Sequence, residues 1–261
     1  MTSLVSAGVV QGRVVGALLM REIQLRWGRR NLGFAWLFCE PLIFAFPVLV
    51  MWSFLHQKVE HGMPVMAFLW SGYLPLLMFR HVTGHCIHVI RAGGPLLYHR
   101  AVTPLDLLVA RIGLEAIGNW AATALSFLVF YMMGVIQWPH DPSLFLLGMF
   151  YMTWWSVSVA LLVAAWSERT EIIQHIWPPI SYIYMPISGF FYLAQWLPVT
   201  LRDLALTVLP SLHAYEMIRG GLFGNRIQVF YDLTYVSFVL AILTLFGLWM
   251  VHHVRRYIDF D

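Results

Sequence analysis

The chain is 261 residues long, 60% hydrophobic, 16% aromatic and only 11% charged, against roughly 25% charged in an ordinary soluble domain. With a mean hydropathy of +0.71, this composition excludes a water-soluble globule, a disordered chain and a fibrous repeat. At about 20 residues per bilayer-crossing helix, the length accommodates roughly six spans with short loops and no sizeable aqueous domain. The net charge of +3 does not call for nucleic acid, because the basic residues sit at the ends of apolar runs, where the positive-inside rule accounts for them.

In chain order, residues 13–30 come first. Met20, Ile23 and Trp27 form a narrow apolar strip among Arg21, Glu22, Arg26 and Arg29, which fits a helix lying on the inner membrane surface, with a basic topogenic flank as the alternative. Apolar runs follow at about 34–55, 65–88, 112–136, 143–166, 172–194 and 229–251, each of spanning length. The first is too long for a signal-peptide core, so it is expected to stay in the mature protein. It carries Glu40 and Pro41 one turn after Trp36, and a carboxylate at this depth either meets a partner or snorkels to the inner interface. Cys39 and Cys86 are far apart in sequence and read as apolar packing residues.

His81, His85 and His88 lie on one face at the inner end of the second run. Three imidazoles could ligate a metal, but with no carboxylate or thiolate on that face they read as a polar helix end. In the next connection, Gly93, Gly94 and Pro95 end one helix, while Thr103, Pro104 and Asp106 read as N-cap, N1 and N3 of another. Residues 96–100, L-L-Y-H-R, are then either a short cytoplasmic helix or an ordinary loop. Glu115, Asn119, Thr123 and Ser126 form a polar face on the third run, expected to bind helices together.

The fifth run carries a stripe, Trp177, Ser181, Tyr184, Ser188, Phe191 and Gln195, at alternating steps of four and three. Hydroxyls, an amide and rings suit a surface that meets sugar, and they equally suit glue between helices. Pro178, Pro179 and Pro186 are expected to kink it. The outer loop then holds an apolar stretch from Val199 to Leu209 between Pro198 and Pro210, and a second helix signal from Ser211 as N-cap to Gly220 and Gly221 as terminators. Segments this apolar and too short to span read as re-entrant or interfacial helices.

An even number of spans puts both termini on one side. Twelve of the sixteen basic residues fall on that side; only Lys58, Arg202, Arg219 and Arg226 fall on the other, which places both termini in the cytoplasm. With Lys58 as the only lysine, a P-loop is impossible and ATP hydrolysis by that route belongs elsewhere. Ser188-Gly189 with His213 could be imagined as an intramembrane hydrolase pair, but serine has a packing explanation inside membranes. A secondary carrier should show two similar halves and midplane carboxylates; neither is visible.

Three stretches resemble a known family. R-E-I-Q-L-R-W-G (21–28), running through L-G-F-A-W (32–36) to Glu40-Pro41, is similar to the start of membrane subunits of ATP-binding-cassette exporters for capsular polysaccharide. So is Y-H-R-A-V-T-P-L-D (98–106) followed by A-R-I-G-L-E (110–115). Pro210, His213 and Arg219, in P-S-L-H-A-Y-E-M-I-R, fit a P-x-x-H-x-x-x-x-x-R signature shared with O-antigen and drug export permeases.

The resemblance implies an all-α polytopic fold of six transmembrane helices forming a single permease domain over 1–261. It further implies an interface helix at 13–30, a coupling helix at 92–103 and re-entrant outer-loop helices at 196–224. It implies a non-enzymatic half-transporter of the Gram-negative inner membrane. That half-transporter pairs with a second copy and two ATPase subunits, which hold the ATP and magnesium; this chain is expected to bind no cofactor or metal of its own. The expected cargo is a lipid-linked anionic polysaccharide delivered to periplasmic and outer-membrane export proteins. Export of O-antigen or teichoic acid is the nearest alternative. Under this reading Tyr98, His99 and Arg100 transmit ATPase motion. Arg21, Glu22, Glu40, Pro41, Pro210, His213 and Arg219 carry the family pattern. Trp36, Tyr73, Ser181, Tyr184, Ser188 and Phe191 are expected on the conduit wall, on the stripe argument, with Arg91 or Arg219 offering charge to an acidic polymer.

Overall fold

A computed structural model describes residues 4–27, 43, 46–47, 50–51, 59–60, 63–97 and 102–254. The expected first span at 34–55 falls almost wholly outside them, as do Trp36, Cys39, Glu40, Pro41, Tyr98, His99 and Arg100. The described elements are helices, save a short antiparallel hairpin of Val59–Glu60 (β1) and Met63–Pro64 (β2), with Val59 opposite Pro64.

Helix α1 runs from Leu4 to Trp27. Then come α2 (Val65–Cys86), the single turns α3 (Val89–Ala92) and α4 (Gly94–Leu97), α5 (Pro104–Met132) and α6 (Pro142–Ser167). The chain continues through α7 (Ile172–Ile187), α8 (Val199–Val208), α9 (Pro210–Phe223) and α10 (Leu233–His253). Four of these, α2, α5, α6 and α10, are long and apolar enough to cross a membrane. They match the second, third, fourth and sixth apolar runs.

Local chemistry accounts for where these helices begin. On α5, Thr103 and Asp106 form a reciprocal capping box, the Thr103 amide donating to the Asp106 carboxylate at 2.8 Å, with Pro104 at N1. Asp141 caps α6 by accepting from the Ser143 and Leu144 amides at 3.0 and 3.1 Å, and those bonds, led by the one from the Ser143 side chain, hold its carboxyl below the usual range. Asp232 caps α10 in the same way through Thr234 and Tyr235.

Helix α6 is central, packing against α2, α9 and α10. Its approach to α9 is backbone-close. A Cβ on Gly148 would lie 2.6 Å from the Ile218 amide nitrogen, and one on Gly221 would lie 2.8 Å from the Asp141 carbonyl oxygen. Side chains sew the long helices together as expected of membrane-embedded hydroxyls. Trp70 donates to Ser126 at 3.0 Å, Trp120 to Thr153 at 2.9 Å and Trp154 to Thr244 at 2.9 Å. The opposite face of α10, with Phe238 and Leu245 each 67% exposed, points outward. Cys86 is fully buried, as a packing residue should be.

Three expectations are corrected. Helix α7 stops at Ile187 instead of 194; its 16 residues reach about 24 Å, short of the roughly 30 Å hydrocarbon core. The stop is at Gly189, whose φ of +101° disfavours any L side chain and where a Cβ would press on Leu212 at 2.8 Å. Ser211 does not cap α9, because Pro210 already occupies its first turn, and Gly220 and Gly221 lie inside the helix, packed on α6 and Val229. On α1, Leu18 is buried against the core with Val14 and Val15 beside it, while Met20, on the strip read as membrane-facing, is 56% exposed. In the α2–α5 connection, Gly94 and Pro95 open α4 instead of ending a helix, since proline is welcome in a first turn.

Candidate functional site

The C-terminal half of α2 and the N-terminal half of α7 enclose a cleft of about 570 Å³. Tyr73, Leu77, Arg80, His81, Gly84, His85 and His88 line one side, and Gln174, Trp177, Pro178, Ser181 and Tyr182 line the other. The two walls are held by Trp177, whose indole donates to Thr83 at 3.2 Å. The Arg80 guanidinium lies over the Tyr182 ring, 3.8 Å from its centroid, a cation–π contact. Helix α7 also meets α2 through Tyr184, whose ring lies 4.8 Å from that of Phe79.

The stripe on the fifth run therefore divides. Ser181 and Trp177 reach the cleft. Tyr184 turns away and donates to Ser211, which donates to the Ser188 carbonyl, so this half is glue. Phe191 packs on Phe190 at 4.2 Å, and Gln195 accepts from the Gln228 amide at 2.9 Å, both beyond the end of α7. Tyr73 lies on the cleft. Arg91 does not: it pairs with Glu171 at 3.3 Å on an exposed surface, a contact worth little. Ser188 gives its hydroxyl to the Met185 carbonyl at 2.9 Å, and with His213 engaged elsewhere no nucleophile–base pair exists between them.

Beside His85 and His88 a second cleft of about 240 Å³ opens toward α1 and α5, lined by Arg21, Glu22, Gly93 and Arg111 among others. Here Arg111 donates to Glu22 at 2.6 Å and lies 3.4 Å from Glu115, one helical turn on, while His85 lies 3.1 Å from the same Glu115 oxygen. Glu22, in the first family stretch, thus clamps α1 to α5, and Glu115 links α5 to α2. Gln11 adds a hydrogen bond to Asp106. Asn119 and Thr123 bond carbonyls of their own helix at 2.8 Å, while Ser126 accepts from Trp70 and Glu115 meets His85, so the two ends of the polar face tie α5 to α2.

The outer connection is closed by one polar row on α9. His213, Glu216 and Arg219 follow at steps of three and are 2%, 0% and 0% exposed. Arg219, expected to offer charge to a polymer, is instead used up internally. Its guanidinium donates to the carbonyls of Gly189, Phe190 and Tyr192 and stacks 4.0 Å over Phe68. Glu216 accepts from the Ala194 and Phe230 amides at 2.9 and 3.0 Å. His213 donates from Nε2 to the Leu206 carbonyl at 2.8 Å and accepts at Nδ1 from the Asp232 amide at 3.1 Å, which fixes the neutral tautomer. The signature P-x-x-H-x-x-x-x-x-R is thus a latch that ties the ends of α7, α8 and α10 to α9. Sequence reading missed Glu216, whose signal was its place midway between His213 and Arg219. It missed Arg80 and Tyr182 as well, one taken as a topogenic charge and the other lying one position off the stripe.

Burial lowers the His213 pKa below its ordinary 6.5, against the opposing pull of the Leu206 carbonyl and Asp232. A folded pKa below the unfolded one means that the opened segment binds the proton more readily. The latch is therefore at full strength above about pH 6.5 and weakens as the pH falls through that value. Protection against amide exchange in residues 206–232, taken relative to the intrinsic rate at each pH, should fall on going from about pH 7.5 to about pH 5, and His213→Asn should flatten that dependence; an unchanged profile in the variant would remove His213 as its cause.

Comparison with known proteins matches this arrangement to one family. The model of the ABC-2 type transporter covers residues 13–223. The chain is 35% identical over 250 residues to the capsule polysaccharide export inner-membrane protein BexB of Haemophilus influenzae, covering 96% of this chain and 94% of that one. It is 35% identical over 258 residues to the capsule polysaccharide export inner-membrane protein CtrC of Neisseria meningitidis serogroup B, covering 99% and 97%. A shorter likeness, 30% over 125 residues and 48% of each chain, joins it to the polysialic acid transport protein KpsM of Escherichia coli. A helical chain with four membrane-crossing candidates, matched by that family model over most of its length, belongs to the ABC-2 type transporters.

Proposed function

We propose that this chain is the inner-membrane permease of an ATP-driven exporter of capsular polysaccharide. The observation that carries the reading is the near full-length likeness to two relatives, both named for capsule polysaccharide export. In this reading the permease has six spans, with residues 34–55 and the short α7 supplying the two beyond α2, α5, α6 and α10, and both termini face the cytoplasm. It works as a pair of copies on two ATPase subunits, which hold the nucleotide and its magnesium, and passes a lipid-linked polysaccharide to periplasmic and outer-membrane partners. Residues 13–30 lie on the inner surface, 92–103 seat in the ATPase and 196–224 dip back from the outer face.

The route for motion is supported by what is bonded to what. The coupling segment joins α2 to α5, so displacing it moves both, and the Glu22–Arg111–Glu115–His85 chain of contacts carries α1 with them as a rigid body. The cleft wall on α2 then shifts against α7. Tyr98→Ala with Arg100→Ala is expected to uncouple the machine: the chain still inserts, the ATPase still turns over, and surface capsule is lost. Unchanged surface capsule in that double variant would remove the coupling assignment.

A further inference from the structure

We infer that the cleft between α2 and α7 is an oxyanion site centred on Arg80, taking a phosphate or carboxylate group where cargo enters the permease. The inference rests on the exporter reading and specifies the chemistry that the cleft accepts. Arg80 stands sixteen residues into a membrane-crossing helix, where a cation is costly unless it is partnered. Its partner is the Tyr182 ring at 3.8 Å, which covers one face of the guanidinium and leaves the donors in its plane uncommitted; the buried Nε has no hydrogen-bond acceptor among the described residues. A planar fork of this kind binds an oxyanion edge-on, two oxygens to two N–H groups.

His81 and His88 line the same cleft, and among the described residues no aspartate or glutamate does. The buried carboxylate of Glu115 on α5 lies against Arg111 and His85. Aromatic walls from Tyr73, Trp177 and Tyr182 give sugar rings something to stack on while the cation holds the charge. A low-dielectric cleft that holds the Arg80 cation raises the local concentration of anions by about tenfold. The oxyanion itself could come from a lipid headgroup or from the cargo, and the chemistry is the same for both.

Gly84 supplies the probe position, because it lines the cleft and a Cβ there meets nothing within 4 Å. With Cys39→Ser to remove the other thiol and Cys86 fully buried, Gly84→Cys is placed in the complete permease–ATPase complex in phosphatidylcholine nanodiscs. Its reaction rate is measured with a sulfonate-bearing methanethiosulfonate and with the trimethylammonium equivalent. The anionic reagent is expected to win by roughly tenfold once intrinsic reactivity is divided out. Arg80→Gln should abolish that preference, and Arg80→Lys, which keeps the charge, should retain most of it. Suppression of the preference when phosphatidylglycerol replaces part of the lipid identifies a headgroup phosphate as the occupant. Suppression by an acidic oligogalacturonate and not by neutral dextran identifies a cargo carboxylate. Equal rates for the two reagents, a preference that Arg80→Gln leaves intact, or one that neither competitor reduces would overturn the proposal. In that event the exporter reading is judged separately, by whether deleting the chain still strips capsule from the cell surface.

Discussion

Replacing Arg219 by Leu is expected to cost the outer assembly about 3–5 kcal/mol, the range for removing one side of a buried charged contact, and to lower the amount of protein that accumulates in the membrane. The reason lies in the carbonyls it serves. Helix α7 ends at a left-handed glycine, Gly189 at φ +101°, after which the carbonyls of Gly189, Phe190 and Tyr192 converge on one guanidinium. No other described group reaches them, and an unsatisfied carbonyl inside a membrane protein costs several kcal/mol. The positive charge also sits at the C-terminal end of α7, where the helix dipole favours it. Lysine keeps the charge but has a single nitrogen where three diverging acceptors need a fork, so Arg219→Lys should recover only part of the loss. Thermal unfolding of the detergent-purified complex, followed by near-ultraviolet circular dichroism of its tryptophans, gives the ranking wild type, then Lys, then Leu. Equal melting of the Leu variant and wild type would show that the carbonyls are served by water instead.

What could be read from the sequence, and what could not, divides by range. The start of α5 was legible because its cause is local: Thr103, Pro104 and Asp106 complete the cap within four residues. The apolar runs of α2, α6 and α10 were legible because the bilayer demands length and little else. The end of α7 was not legible, because Gly189 adopts its conformation against Leu212 and under Arg219, more than twenty residues away. The same is true of the stripe on that helix. Spacing alone could not choose between a sugar-facing wall and a helix contact for Tyr184, and the decision came from Ser211 on α9. Arg219 itself was misread because a single cation in an outer loop looks like a charge offered to cargo, when three backbone oxygens out of register with any sequence pattern had already claimed it. Arg80 shows the reverse error, a residue counted for topology that lines the cleft between α2 and α7.

A second large effect is expected at Arg111, where the outcome depends on what is left behind. Arg111→Met removes the 2.6 Å bond to Glu22 and the 3.4 Å contact with Glu115. Glu22 is 20% exposed at its side chain and can find water, but Glu115 is only 4% exposed and loses its guanidinium partner. Stranding that buried carboxylate should cost about 3 kcal/mol and loosen α1 from α5, so that capsule export falls while ATP turnover by the partner persists. Glu115→Gln on top of Arg111→Met should then restore part of the stability, because it removes the charge that the first change stranded. Glu22→Gln alone should cost under about 1 kcal/mol, as for a partly solvated pair. A double-mutant cycle on the purified complex is expected to give a coupling between Arg111 and Glu115 of roughly 1–3 kcal/mol. Additive effects, with no rescue by Glu115→Gln, would mean that the two side chains do not share their charge. The chain of contacts from α1 through α5 to α2 could then not serve as the rigid link through which motion beneath the membrane reaches the cleft.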